Sequence, residues 1–473
     1  MVVHGSEVVS DVNTRVDDVT WGAWRALALA SAATILLYIA IMVPLTTVVS
    51  TAADLRMGPG TQAWVVSATN LGLAAGLLGS GAIGDDYGRR RIFVVGALLL
   101  AGASLLCGLA PNALVLVLGR ILQGMGGAAV LACAQGIIGQ LFPEGYPRAR
   151  AMGLWAGALG AGVSLGPFVA TGFLLLGGWR LPYLLVGLAM VMIAGLGLVM
   201  LPESRAELSR PVDVGGVLLL GLGVAALMAG LVEGRLGWGS PLVRLLLATG
   251  LLLLVAFALY ERRTTHPMFD LSLLSRPDFL GATMAAFAAG LGILSLSAVV
   301  PIVVEVGLGY GVTVATLVLF AWSGPSSIAA VLARWLPSSL SPKAQLVVGL
   351  AGCAVGELLL LLPTSGATVA RLLPGLVLAG VANGLLNAAL GRQAVASVPP
   401  SRTAMGSGAN NTARFVGAAI GVSAVVTLVG RAAGSGPAGV IASWNVAVLL
   451  TTAPLVLGAL AVWWVQRGAR RLG

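Results

Sequence analysis

Arg120, Gln123, Glu305, Glu357, Asn383, Asn387, Asn410, Asn411 and Arg414 stand within or at the edges of long apolar runs. A charge at the centre of a bilayer costs at least about 2.5–3.5 kcal/mol on insertion scales, so such groups are expected to face a partner or a wet cavity. The chemistry they offer is binding and proton exchange, not bond cleavage. A carboxylate in a low-dielectric site holds a proton until a cation approaches, so one site can exchange a proton for a cationic or polar substrate. Glu305 is the first candidate for that role and Glu357 the second, while Asp54 and Glu233 fall near span ends. Arg120 keeps its charge wherever it sits, so it must be hydrated or paired, as in a fixed bridge between helices. Asn383 and Asn387 share a helical face by their i, i+4 spacing, which suits a cavity wall. Tyr38, Trp64, Trp155, Trp322 and Phe415 are candidate walls of a drug-sized pocket, with Trp155 and Trp322 divided evenly between cavity and lipid.

Long helices in lipid are needed to hold these groups. The chain has 473 residues, 58% of them hydrophobic and 9% charged, and a mean hydropathy of +0.99, which excludes a water-soluble globule. Runs long enough to cross a bilayer fall near 24–50, 61–84, 92–110, 113–141, 149–174, 179–201, 212–233, 241–260, 277–305, 312–335, 343–362, 370–397, 404–430 and 439–465. They are too long and too weakly alternating for barrel strands, so the expected fold is an all-α polytopic membrane protein with fourteen spans. Placing both ends in the cytoplasm gives the inner loops and tails eighteen basic residues. The outer loops get six, Arg56, Arg180, Arg235, Arg244, Arg371 and Arg431. That asymmetry obeys the positive-inside rule. The net charge of +10 then reads as topology and contact with anionic lipid, not as nucleic-acid binding.

Several chemistries are missing from the sequence. There is no GxxxxGK[ST] loop for ATP, and His4 and His266 both lie outside the spans, so neither a zinc centre nor a histidine relay is expected. Cys107, Cys133 and Cys353 are far apart and read as small buried hydrophobes. No metal, cofactor or enzymatic constellation is expected.

Six spans precede the charged stretch 202–211, two follow it, and six more come after the charged stretch 261–278. The expected organisation is a cytoplasmic tail (1–23), a six-helix bundle (24–201), a linker with two extra helices (202–276), a second six-helix bundle (277–465) and a tail (466–473). Transporter folds built from repeats bind substrate near the midplane between halves. Between the second and third spans lies GAIGDDYGRRR, residues 81–91. There Gly81 lets helices approach, Asp85 can cap or salt-bridge, Gly88 permits a tight turn, and Arg89, Arg90 and Arg91 hold the loop inside.

This loop resembles the GxLxDRxGRRR signature of the major facilitator superfamily, through Gly81, Asp85, Gly88, Arg89, Arg90 and Arg91. It departs at Asp86, where the family carries a basic residue. RILQGMGGAA, with Arg120, Gln123 and Gly124, is similar to the family's RxxQGxgaa pattern. Gly153, Gly162, Gly166 and Pro167 resemble the fifth-span motif of its antiporter branch. EGRLGW at 233–238, residues 261–274 and GSGANNTARFVGAAIG at 406–421 are similar to stretches of the fourteen-helix drug:proton antiporters. The branch has an acid in the first span; the matching position here is Ala40.

The resemblance implies a secondary active exporter of amphiphilic or cationic small molecules, driven by protons, working by alternating access in the cytoplasmic membrane. It also implies that the cytoplasmic loop acts as a latch and that Arg120 serves coupling. A lipid or self-made metabolite as cargo, an importer, and a non-transporting sensor stay open. A monomer is expected, with small-molecule substrate, protons and membrane lipid as partners.

Overall fold

The computed structural model describes residues 20–468 apart from 206–210, 212, 236, 266, 337–339, 363, 365, 433 and 434. Most of the expected N-terminal tail, His4 and His266 therefore lie outside the described residues. Those described form fourteen long helices and no strand. They are α1 Trp21–Leu55, α2 Pro59–Tyr87, α3 Arg89–Gly108, α4 Ala113–Leu141, α5 Tyr146–Gly177, α6 Leu181–Met200, α7 Val214–Gly234 and α8 Pro241–Glu261. Then come α9 Pro277–Gly307, α10 Val312–Leu332, α11 Pro342–Leu358, α12 Leu373–Ala396, α13 Thr403–Ala432 and α14 Gly436–Gly468.

Thirteen of these regions are long and apolar enough to cross a bilayer. The exception is α11, whose 17 residues make a rod of about 26 Å at 1.5 Å per residue. Large apolar side chains such as Leu176, Val199, Leu252 and Leu457 point outward, as expected where the solvent is acyl chain. The pair α7–α8 is the most peripheral: only 17% of the α8 span is buried inside the protein.

Two six-helix bundles share one packing scheme. In the first, α1 packs on α5, α2 on α4, α3 on α4, and α3 on α6. Adding eight to each label gives α9 on α13, α10 on α12, α11 on α12, and α11 on α14, all present in the second bundle. The halves meet along two seams, α2 with α13 and α5 with α10, which the same operation exchanges. The extra pair joins the first bundle through α7 on α2.

Glycine makes the close crossings. A Cβ on Gly124 would meet Leu73 N at 2.7 Å, and one on Gly384 would meet Ala330 N at 2.9 Å, so α2–α4 and α10–α12 touch backbone to backbone. Helix α9 is interrupted by π-helical turns at Gly290–Leu294 and Val303–Gly307. Such turns free backbone groups and are common where a helix serves a site.

Candidate functional site

Arg120 is fully buried in the first bundle and is held almost entirely by backbone. Its Nη1 donates to Ala40 O at 2.6 Å and to Gln123 Oε1 at 2.9 Å, its Nε to Val65 O at 3.2 Å, and its Nη2 to Ile41 O at 3.4 Å. The Tyr183 ring lies 5.9 Å away. Why a carbonyl of α1 is free to accept follows from Pro44, inside the same helix. Proline has no N–H, so the carbonyl four residues earlier, Ala40, loses its helical donor. Arg120 supplies the missing donor. Gln123 passes the chain on, donating to Ser104 Oγ at 2.7 Å, which donates to Leu100 O at 2.7 Å. The position at which the antiporter branch has an acid therefore pairs with the arginine through its main chain instead.

Along the α2–α13 seam the loop 81–91 ties the two halves together. Gly81 comes so close to Ala404 and Met405 that no Cβ fits. Asp85, fully buried, accepts from Ala404 N at 3.1 Å and Met405 N at 2.7 Å, the orphan donors of the first turn of α13. Arg89 lies 2.6 Å from Asp85 and donates to Pro400 O at 3.3 Å and Ser401 O at 3.2 Å. Asp86, where the resemblance expects a base, pairs with Arg402 of the opposite half at 3.0 Å. Sign reversal on one half is thus met by a base on the other. Gly88, at φ +116°, makes the turn into α3 and abuts Glu203, which lies 3.6 Å from both Arg90 and Arg91.

One face of α13 continues this seam into the protein. Thr403 donates to Gly136 O at 3.3 Å; one turn further, Ser407 and Asn411 both bond Gln135 of α4, the amide at 2.9 Å. Asn410 points elsewhere, to Ala282 O of α9 at 3.0 Å. The next residue on the face is Arg414. It is 7% exposed, its Nε has no hydrogen-bond partner, and it interacts electrostatically with Tyr38 of α1 and Cys353 of α11. Phe415 beside it is buried.

The two carboxylate candidates part company. Glu305 lies at the very end of its span, exposed on the π-helical turn that ends α9. Glu357 is 2% exposed and accepts from Thr451 Oγ1 at 2.9 Å and Thr452 Oγ1 at 3.4 Å, with no cation among its partners. It borders a cavity of about 20 Å³ with Trp322, Ser297 and Leu319, room for about one water. Burial at depth, not sequence position, puts Glu357 ahead. Asp54 is taken by Arg180 and Trp179, and Glu233 by Trp64 Nε1 at 2.5 Å, so Trp64 is a strut between α2 and α7.

Trp155 and Trp322 both face inward. Trp155 donates to Thr34 Oγ1 at 3.0 Å and lies near Gly391 of the other half, while Trp322 lines the Glu357 cavity. Asn383 donates to Ser326 Oγ at 2.9 Å, but its Oδ1 and that of Asn387 have no partner. The fifth-span glycines divide between two neighbours: Gly153 lies against Ala330 of α10, and Gly162 and Gly166, just before Pro167, against Tyr38 and Met42 of α1. Away from the loop 81–91, Arg235 donates to Ser67 Oγ at 3.1 Å and Ser423 Oγ at 3.3 Å, and burial pulls its guanidinium down to about 10. Residues the sequence did not single out include Ser104, Arg402, Ser407 and Thr451. Pro44 was the legible signal for the α1 carbonyl.

Residues 29–422 match the Major Facilitator Superfamily profile. The chain is 34% identical over 393 residues to a probable actinorhodin transporter of Streptomyces coelicolor, covering 80% of this chain and 67% of that one. It is 32% identical over 467 residues to a puromycin resistance protein of Streptomyces alboniger, covering 93% and 90%. With a multidrug efflux pump of Mycolicibacterium smegmatis it shares 28% identity over 406 residues, covering 86% and 81%. Among solved structures, the human organic anion transporter MFSD10 is similar at TM-score 0.66 and 15% identity, covering 92% of this chain and 99% of that one. The proton:xylose symporter XylE is similar at TM-score 0.67 and 17% identity, covering 93% and 95%. Those two establish the fold alone. With its loop signature, its paired bundles and this match over most of its length, the chain belongs to the major facilitator superfamily and is a multi-pass membrane transporter, not an enzyme.

Proposed function

We propose that this protein exports amphiphilic or cationic small molecules from the cytoplasm in exchange for protons, by rocking its two bundles about a central site. The observation that carries this is the latch: one end of the inter-bundle seam is shut by Asp85 on the first turn of α13 and by Asp86 with Arg402. Contacts of this kind form and break as a unit, as alternating access requires. The excess of basic residues supports placing the latch end, and both termini, in the cytoplasm. Relatives named for antibiotic resistance and drug efflux support the direction of transport and the cargo class. The protein is read as a monomer.

For proton exchange the geometry favours Glu357, the deeply buried acid without a cation partner. Sealed proteoliposomes with and without an imposed pH gradient test both parts. Wild-type protein should accumulate amphiphilic dyes only with the gradient. Glu357→Gln should lose at least about tenfold of that gradient-driven accumulation while still binding dye. Binding without accumulation by the wild type would make the chain a sensor; full coupling in the variant would remove Glu357 from the mechanism.

A further inference from the structure

Moving along α13 away from the latch, inter-bundle hydrogen bonding thins out. Met405 N and Ala404 N are taken by Asp85, Ser407 and Asn411 by Gln135, and then Arg414 presents a buried guanidinium whose Nε bonds nothing. Arg414 lies eleven residues past Thr403, about 16 Å into a hydrocarbon layer about 30 Å thick. A cation at mid-depth with open hydrogen-bonding capacity is costly unless a ligand completes it.

The local charge balance says which ligand. Outside the loop 81–91 and Glu261 at the end of α8, the buried charges among the described residues are Arg120, Arg414 and, one residue from the end of α11, Glu357. Arg120 is satisfied by carbonyls, which lower its cost but leave its charge in place. Glu357 is held by two threonines of α14, with no cation among its hydrogen-bond partners. The groups in electrostatic reach of Arg414 are the Tyr38 hydroxyl and the Cys353 thiol, neither of them a carboxylate. The region is short of one negative charge.

We propose that Arg414, with Tyr38 opposite, is the recognition point for a carboxylate on an otherwise apolar transported molecule. This rests on the export reading above and narrows its amphiphilic cargo to acidic members. The planar guanidinium fork pairs with two oxygens at once, whereas a lysine or an amide would not reproduce both bonds. Tyr38 supplies a hydroxyl donor to the same anion, and Phe415, buried next to Arg414 on α13, supplies apolar wall.

The test uses full-length protein in proteoliposomes with an imposed pH gradient and three dyes of one ring system: fluorescein as the acid, its methyl ester lacking the carboxylate, and a rhodamine ester as the cation. Wild-type protein should move fluorescein faster than its ester. Arg414→Gln should cut the fluorescein-to-rhodamine rate ratio by at least about tenfold, the loss of one charge-assisted pair, with Arg414→Lys in between. Monodispersity and thermal melting of each variant confirm that it is folded. If Arg414→Gln slows all three dyes equally, or if wild-type protein moves rhodamine but not fluorescein, the assignment is overturned. If the wild type moves none of the three, the export reading itself falls, and this one with it.

Discussion

The two bundles share a frame but not their charges. Gly124 crosses α2 at Thr69 and Gly384 crosses α10 at Ser326; four residues earlier in each helix stand Arg120, bonded to Val65 O, and Gly380, pressed against Trp322 O. Likewise Gly162 and Gly166 cross α1 at Ile35 and Ile39, while Gly417 and Gly421 cross α9 at Phe287 and Leu291. Three residues before the first of each pair stand Leu159 and Arg414. Each bundle therefore carries one buried arginine where the other has an uncharged residue. Packing that must survive rocking is duplicated, whereas each cation is placed once. They differ in kind as well, Arg120 being hydrogen-bonded on all three nitrogens and Arg414 open.

The largest expected effect separates those two arginines by stability. Arg120→Ala leaves the carbonyls of Ala40, Ile41 and Val65 without their donor and should cost at least about 3 kcal/mol, seen as a large drop in melting temperature in detergent. Arg414→Gln removes a buried cation whose Nε has no hydrogen-bond partner, so its melting temperature should hold or rise. Equal losses in both variants would erase the distinction.

The seams repeat the lesson at intermediate scale. On α5–α10 the contact is glycine against backbone and methyl groups, with Gly153 at Ala330, Gly157 at Val331 and Gly160 at Ser327. On α2–α13 it is ionic. Asp85→Asn weakens the bonds to Ala404 N and Met405 N and the pair with Arg89, and should favour opening by about 2 kcal/mol. Cys133, buried against Gly84 beneath the loop, reports it: in a Cys107→Ala, Cys353→Ala background its maleimide labelling should rise about tenfold or more. Arg402→Asp should act the same way by about 1 kcal/mol, and adding Asp86→Arg should restore protection. An unchanged labelling rate in Asp85→Asn would show that the seam is held by glycine packing on both sides.

Much of this was legible in the sequence. Hydropathy alone placed all fourteen helices, because a lipid solvent demands long uninterrupted apolar runs, and the loop glycines and arginines marked the segment that meets the other half. Which polar groups meet was not legible, because that depends on contacts between helices far apart in sequence. Arg402 lies 316 residues from Asp86, and Gln135 lies 276 from Asn411. Glu305 was ambiguous for a related reason: an apolar run shows that a residue is near a helix, not which way it faces or where the helix yields to π turns. The departure at Asp86 was visible, but its compensation by Arg402 requires the folded seam.

The finest test concerns Pro44. A proline inside a helix ordinarily costs about 3 kcal/mol or more, partly through the carbonyl it leaves unbonded. Here that carbonyl, Ala40 O, is already served by Arg120 at 2.6 Å. Pro44→Ala should therefore change stability by no more than about 1 kcal/mol, because the restored N–H offers a second donor to an acceptor that has one. The coupling is more telling. With Ala at 44, the helix serves Ala40 O itself, so Arg120→Ala should cost about 1 kcal/mol less than in the native background, measured as a double-mutant cycle of melting free energies. A cycle that closes to zero would mean that the arginine and the proline are strangers, and that Arg120 is held in the first bundle by Gln123, Val65 and Ile41 alone.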